Sequence, residues 1–155
     1  MTSQNRKSWD RYFLELAAQV ATRGTCDRKQ VGCVIVAPNK RILSTGYNGS
    51  IPGSEHCDTA GHLIVNGTCI RTIHAEQNAL LNVVVPKGST AYVTMEPCVT
   101  CFKLLVSSGV TRVVFSEPYR DGCSLYVKEL GLEVFGVSTD PSTTQQPYSV
   151  IEIDV

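Results

Sequence analysis

Along the chain, apolar positions change period several times, and each change marks a predicted element. After Ser8, a residue suited to capping a helix, the apolar positions Trp9, Tyr12, Phe13, Leu16, Ala17 and Val20 recur with helical spacing until Gly24 ends the run. "VGCVIVA" at 31–37 is a short β-rich run, "PNK" at 38–40 a turn, and "RILSTGY" at 41–47 a second strand of the same hairpin. Residues 48–70 hold five glycines and prolines and read as one long loop, of the kind that is functional or pinned by something. Helices are predicted over 74–84, 97–109 and 124–131, with strands at 90–95, 111–116 and 132–137. Pro97 suits a first helical turn and Gly109 a helix end.

This order, α-β-β-α-β-α-β-α-β, predicts helices on both faces of a mixed five-stranded sheet. The alternating second half argues for a parallel region, and the first hairpin for an antiparallel edge. The tail from 138 opens polar, then alternates in "SVIEIDV"; its place as an edge strand or an oligomer contact stays open. At 155 residues without an internal repeat, the chain is expected to form one domain.

Composition narrows the function. Lys plus Arg equals Asp plus Glu at 14 each, so no global field draws the chain to polymeric nucleic acid, although Arg23, Arg28, Lys29, Lys40 and Arg41 cluster in sequence. No run approaches the roughly 18 apolar residues of a membrane span. The opening "MTSQNRKSWD" lacks the apolar core of an export signal, so a reducing, cytoplasmic setting is expected. Seven cysteines in such a setting point to metal binding or chemistry rather than disulfides.

The chemistry concentrates in "RTIHAEQNALL" and "MEPCVTC". Cys98 and Cys101, three apart in a helical first turn, face the same way, and the free N–H groups there favour thiolate. His74 opens another predicted helix. One imidazole and two thiolates make three ligands, which on zinc leave a position for water, the catalytic rather than the structural pattern. Glu76, two residues from His74, is placed as a general acid–base that does not touch the metal. A closed structural zinc is the rival reading, but it leaves the fourth ligand and Glu76 unexplained. With Pro97, these residues spell H-x-E…P-C-x-x-C, the zinc-deaminase signature.

Around that signature, "WDRYFLELA", "RKQVG", "ILSTGYNGS", "HCD", "AYVTMEPCVTC" and "EPYRD" resemble the deoxycytidylate (dCMP) deaminase family of the cytidine deaminase superfamily, from about Trp9 to Val137. The resemblance implies an α/β/α sandwich and hydrolysis of dCMP to dUMP and ammonia. An activated water would attack C4 while Glu76 shuttles protons to N3 and the leaving amine. It also implies a backbone acceptor for the base at Ala75, a sugar contact at Asn48, an aromatic cover at Tyr119, and phosphate contacts at Arg120 and Arg28. A second, structural zinc is implied through Cys26 and Cys57; with His62 and Cys69 these form the expected ligand set, His56 being the substitute for His62. Cys33 reads as core, and Cys123 has no assigned role.

Family members are commonly hexamers activated by dCTP with magnesium and inhibited by dTTP. The resemblance carries that effector site to Gly46, Tyr47, Gly49 and, more weakly, His56. Two rival functions stay open: a dCTP or dual dCMP/dCTP deaminase, and a nucleotide-sensing zinc protein without catalysis.

Overall fold

The computed structural model describes residues 6–137 and 146–153. The elements in chain order are α1 (Trp9–Ala21), β1 (Gly32–Val36), β2 (Ile42–Tyr47), β3 (Gly49–Ser50), α2 (Cys57–Ala60), β4 (Ile64–Val65), β5 (Thr68–Cys69), β6 (Thr72–Ile73) and α3 (Ala75–Leu80). They continue with β7 (Ser89–Met95), α4 (Val99–Ser108), β8 (Val110–Glu117), α5 (Ser124–Glu129), β9 (Val134–Val137) and β10 (Tyr148–Glu152). No helix among the described residues is long and apolar enough to cross a membrane.

The main sheet runs β2-β1-β7-β8-β10-β9. Period-two alternation divides its side chains between two cores. Cys33, Ile35, Ala91, Val93, Val113, Phe115 and Ile151 face Ala75 and Ala79 of α3, Phe102 and Leu105 of α4, and Val127 of α5. Val34, Val36, Tyr92, Val114 and Val150 face Phe13, Leu14 and Ala17 of α1. The three-layer α/β/α arrangement is therefore as expected, and β1, buried throughout, is apolar on both faces for that reason.

The sheet has six strands rather than five. β10 from the tail lies between β8 and β9, antiparallel to both, so β7–β8 is the one parallel pair among the described strands. Exposed Phe135 and half-exposed Val134 give β9 little to bury, whereas Val150 and Ile151 of β10 are buried on opposite faces. The more apolar segment takes the inner position.

Local departures have local causes. α1 buries Phe13, Leu14, Ala17 and Ala21, leaving Trp9 and Tyr12 exposed, because the helix is oriented by Phe13 packing on Tyr92 at 5.1 Å and by Asp10 bonding to the sheet. α3 stops at Leu80 instead of 84: Asn82 adopts φ 60°, and Val83, Val84 and Val85 lead into Pro86. Pro97 lies just before Cys98, the N-cap of α4, rather than within its first turn. The predicted loop 48–70 is subdivided by α2, by pairing of β3 with β6, and by the β4–β5 hairpin turning at Asn66 and Gly67, both with positive φ.

The placement of α3 depends on Gly46. A Cβ there would lie 2.3 Å from the Ala79 nitrogen and 2.4 Å from the Ala75 oxygen, so only glycine lets β2 approach the helix so closely. Asn78 Nδ2 donates to the Tyr47 carbonyl at 2.9 Å and Ser44 to that of Ala79, fastening α3 to the strand.

Candidate metal centre and nucleotide cavity

His74 and Cys98 are the N-cap residues of α3 and α4, and Cys101 lies in the first turn of α4. The chain enters α3 from β6, outside the main sheet, and α4 from the end of β7, and the two helix starts converge. Gln77 Oε1 accepts from the His74 backbone N–H at 2.9 Å and fixes that entry. His74 Nδ1 lies 3.3 Å from Cys101 Sγ and 3.6 Å from Cys98 Sγ, and all three donor atoms fall within 4.8 Å of one another. Zinc bonds of about 2.0–2.3 Å separate tetrahedral ligands by about 3.3–3.8 Å, so this donor set fits the ion.

The electrostatics favour a charged sulfur. Hydrogen bonding from the Cys101 thiol, then from the His74 ring, holds Cys98 down to about 4. The same Cys98 sulfur raises the His74 ring above the usual imidazole range. Cys101 keeps its proton in this pair and is raised, first by its bond to Cys98 and then by burial. Glu76 is only 4% exposed, and burial pushes its carboxyl up from the ordinary glutamate value. It stands outside the three-donor group.

A cavity of about 560 Å³ opens in front of these residues. It gathers all five predicted substrate residues: Ala75 and Asn48 inside, with Tyr119, Arg120 and Arg28 at exposed positions of its lining. Asn48 is also a brace: its Oδ1 accepts from the Val31 N–H at 2.8 Å and its Nδ2 donates to the Lys29 carbonyl at 2.7 Å. One amide hydrogen and one acceptor lone pair are left for the cavity. Gly46, Tyr47, Gly49 and His56 do not line it. Gly46 is buried against α3, and His56 Nδ1 faces Asp58 at 4.0 Å.

Two further lining residues, Lys29 and Glu96, were given no site role from sequence. Lys29 pairs with Glu117 at 2.6 Å; its only sequence signal is the adjacent Arg28, in a run that reads as solvated surface. Glu96 is 4% exposed and accepts from the Tyr119 and Ser124 N–H groups at 3.0 and 3.1 Å. Its proximity to Cys98 carries no spacing signal.

The second cysteine cluster is brought together by the 48–70 segment. Cys26, Cys57 and His62 place their donors within 4.8 Å of one another. Cys57 and Cys69 sulfurs are 3.7 Å apart, and Cys26 Sγ is 3.9 Å from His62 Nδ1. His62 Nε2 is 2.9 Å from Asp27 Oδ1, the carboxylate partner typical of a ligating imidazole. His62, rather than His56, faces the sulfurs. Hydrogen bonding from the Arg71 backbone, assisted by His62, lowers Cys69 to about 7.

Comparison with known proteins agrees with this geometry. Residues 7–117 match the family described as the cytidine and deoxycytidylate deaminase zinc-binding region. ComE operon protein 2 of Bacillus subtilis is 40% identical over 139 residues, covering 87% of this chain and 71% of its own. The deoxycytidylate deaminase of Mycobacterium phage D29 is 38% identical over 127 residues, covering 73% of this chain and 98% of its own. The crystal structure of a dCMP deaminase from cyanophage S-TIM5, in complex with dCMP and dUMP, superposes with a TM-score of 0.66 at 28% identity, covering 86% of this chain and 96% of that one. Because the matched region takes in both helix starts and strands β2, β1, β7 and β8, the chain belongs to the deoxycytidylate deaminase family.

Proposed function

We infer that this protein hydrolyses dCMP to dUMP and ammonia. The observation that carries the reading is a buried acid, Glu76, beside a three-donor zinc-type group at the inner wall of a cavity with cations at its opening.

His74, Cys98 and Cys101 would hold the catalytic zinc. A bound zinc supplies Lewis acidity that makes water nucleophilic near neutral pH. Glu76 takes the two protons of the attacking water in turn, passing the first to N3 of the cytosine and the second, from the oxygen now bound to C4, to the departing amine. At C4 a bond to oxygen forms as the bond to the amine breaks, so water and dCMP give dUMP and ammonia. Burial of Glu76 suits both halves of that shuttle by raising its proton affinity. Ala75 lines the cavity beside the base, but its carbonyl, expected as the base acceptor, is turned onto Gly46 and the α3 backbone; the free amide capacity of Asn48 serves the sugar. Tyr119 covers the nucleotide, while Arg28 and Arg120, with Lys29 beside them, meet the 5′-phosphate. Guanidinium groups suit phosphate because they bind it in bidentate fashion.

Cys26, Cys57, His62 and Cys69 form, in this reading, a closed structural zinc site that orders the glycine-rich 48–70 segment. Both clusters require reduced thiols, which fits a cytoplasmic setting. The family resemblance adds a hexamer and regulation by dCTP with magnesium and by dTTP. Tyr47, Gly49 and His56 lie outside the cavity lining, so such an effector site would be distinct from the substrate site.

The test is an absorbance assay with cytidine, dCMP, dCTP and CMP side by side, with and without dCTP–magnesium and dTTP as effectors. Turnover of dCMP above the others is expected. Turnover of cytidine alone would overturn the nucleotide assignment, and preferential use of dCTP would move the substrate to the triphosphate.

A further inference from the structure

Glu96 has a buried carboxyl group with no cation paired to it among the described residues. Its oxygens are instead divided between the ends of one tight turn. Oε2 accepts from the Tyr119 N–H at 3.0 Å. Oε1 accepts from the Ser124 N–H at 3.1 Å and from the Ser124 hydroxyl. Between those ends the turn closes on itself, the Gly122 N–H donating to the Tyr119 carbonyl at 3.0 Å. Arg120 and Asp121 are its central residues, and Arg120 is almost fully exposed.

The carboxyl occupies the space that a side chain at 122 would need. A Cβ on Gly122 would lie 2.2 Å from Glu96 Oε2 and 2.3 Å from Cδ. The main chain repeats the linkage: Glu96 N–H donates to the Glu117 carbonyl at 2.7 Å, Cys123 N–H to that of Pro97 at 2.8 Å, and Cys98 bridges to Gly122. The residue pair between β7 and the metal-binding turn is thus clasped to the segment carrying Tyr119 and Arg120.

We propose that Glu96 is a positioning residue for nucleotide binding, holding the 119–122 turn over the cavity at a fixed distance from the metal-binding turn. A buried carboxyl accepting several N–H bonds resists movement because losing any of them leaves a polar group unsatisfied. Glu96 touches neither the reacting atoms nor the metal donors; it acts through Tyr119 and Arg120. The inference rests on assigning those two residues to the nucleotide.

Glu96→Gln preserves shape but turns an amide N–H₂ toward one of the backbone donors. In the zinc-loaded enzyme, its KM for dCMP is expected to rise about tenfold, as loss of a buried hydrogen bond implies, with kcat within about threefold and zinc content unchanged. Hydrogen exchange read by mass spectrometry should accelerate across 118–124 and not in α1. Gly122→Ala, which displaces the carboxyl, should reproduce both effects, and Ser124→Ala, which removes one hydroxyl donor, should give a smaller rise if Glu96→Gln fails to fold. Unchanged KM with unchanged exchange in these variants overturns the proposal, as does a fall in kcat with zinc loss at constant KM. Tyr119→Ala and Arg120→Ala separate the two readings. If they raise KM while Glu96→Gln does not, Glu96 alone is misassigned; if neither moves KM, the turn does not bind nucleotide and both readings fall.

Discussion

Cys101 Sγ lies 3.3 Å from His74 Nδ1, across 27 residues of sequence. That separation suits an edge of a zinc tetrahedron, and it is set by two helix starts rather than by a flexible loop. Replacing His74 with Ala or Cys101 with Ser should therefore remove the ion at this site and abolish turnover while leaving the fold intact. Zinc content by atomic absorption, read beside circular dichroism, checks this. Retention of full zinc stoichiometry in both variants would count against the assignment.

In the proposed reaction Glu76 supplies the proton transfers. Glu76→Gln keeps the shape and the hydrogen-bonding capacity of the buried side chain but cannot shuttle a proton. Its kcat should fall about 10²–10⁴-fold, with zinc retained. A sensor without catalysis would respond differently: wild type and variant would bind nucleotide alike and neither would release ammonia. Ammonia release and dCMP binding measured on both proteins distinguish the cases.

The second cluster should contribute stability rather than turnover chemistry. Cys57→Ser breaks the 3.7 Å pair with Cys69 and removes a donor from the Cys26–His62 group. The expected result is one zinc per chain in place of two, and a melting temperature lowered as the 48–70 segment loses its fastening. Near-wild-type kcat is expected where the variant remains folded. An unchanged metal count would show that the thiols pack without an ion.

Different parts of the molecule were legible in sequence to different degrees, for physical reasons. The central strands were readable because burial on both faces gives β1 an unbroken apolar run and β7 an apolar centre at Ala91, Tyr92 and Val93. The convergence of His74, Cys98 and Cys101 was readable because helix starts impose short, fixed spacings on the groups they carry. β10 was ambiguous because "SVIEIDV" has strand alternation without a signal for its neighbours; pairing is decided by which segment buries more, here Val150 and Ile151 over Phe135. The β4–β5 hairpin carried its signal openly, Asn66-Gly67 at the turn, but its strands are only two residues each and are submerged in a glycine-rich stretch. Lys29 showed only as one member of a basic stretch and Glu96 gave no warning, because their partners Glu117, Tyr119 and Ser124 are distant in sequence. The face of α1 was read in part: Phe13, Leu16, Ala17 and Val20 pack on the core as expected, but contacts with Tyr92 and Arg112 rotate Trp9 and Tyr12 outward and bring Leu14 and Ala21 in.

Those α1 contacts define an acid-sensitive attachment. Arg112 Nη1 and Nη2 donate to the two Asp10 oxygens at 2.6 and 2.8 Å, and the Tyr92 hydroxyl donates to the same carboxylate at 2.8 Å. Burial alone would raise the Asp10 carboxyl, but hydrogen bonds from Arg112 and Tyr92 outweigh it and leave its pKa below the usual 3.8. A carboxyl lowered in the folded state contributes stability that is fully present above the unfolded value and is lost as pH falls through the folded one. Asp10→Asn keeps the size of the side chain and one acceptor oxygen but leaves the Arg112 charge paired, among the described residues, only with Glu152 at 3.5 Å. It should cost about 2 kcal/mol near neutral pH, or roughly 6 °C in melting temperature. Because both proteins lose zinc alike on acidification, the quantity to follow is the difference in stability between them. That difference should hold steady down to about pH 5 and then narrow as Asp10 takes up its proton in the wild type. A difference that stays constant to pH 3, or one that widens, would show that the Asp10 charge is not what fastens α1 to the sheet.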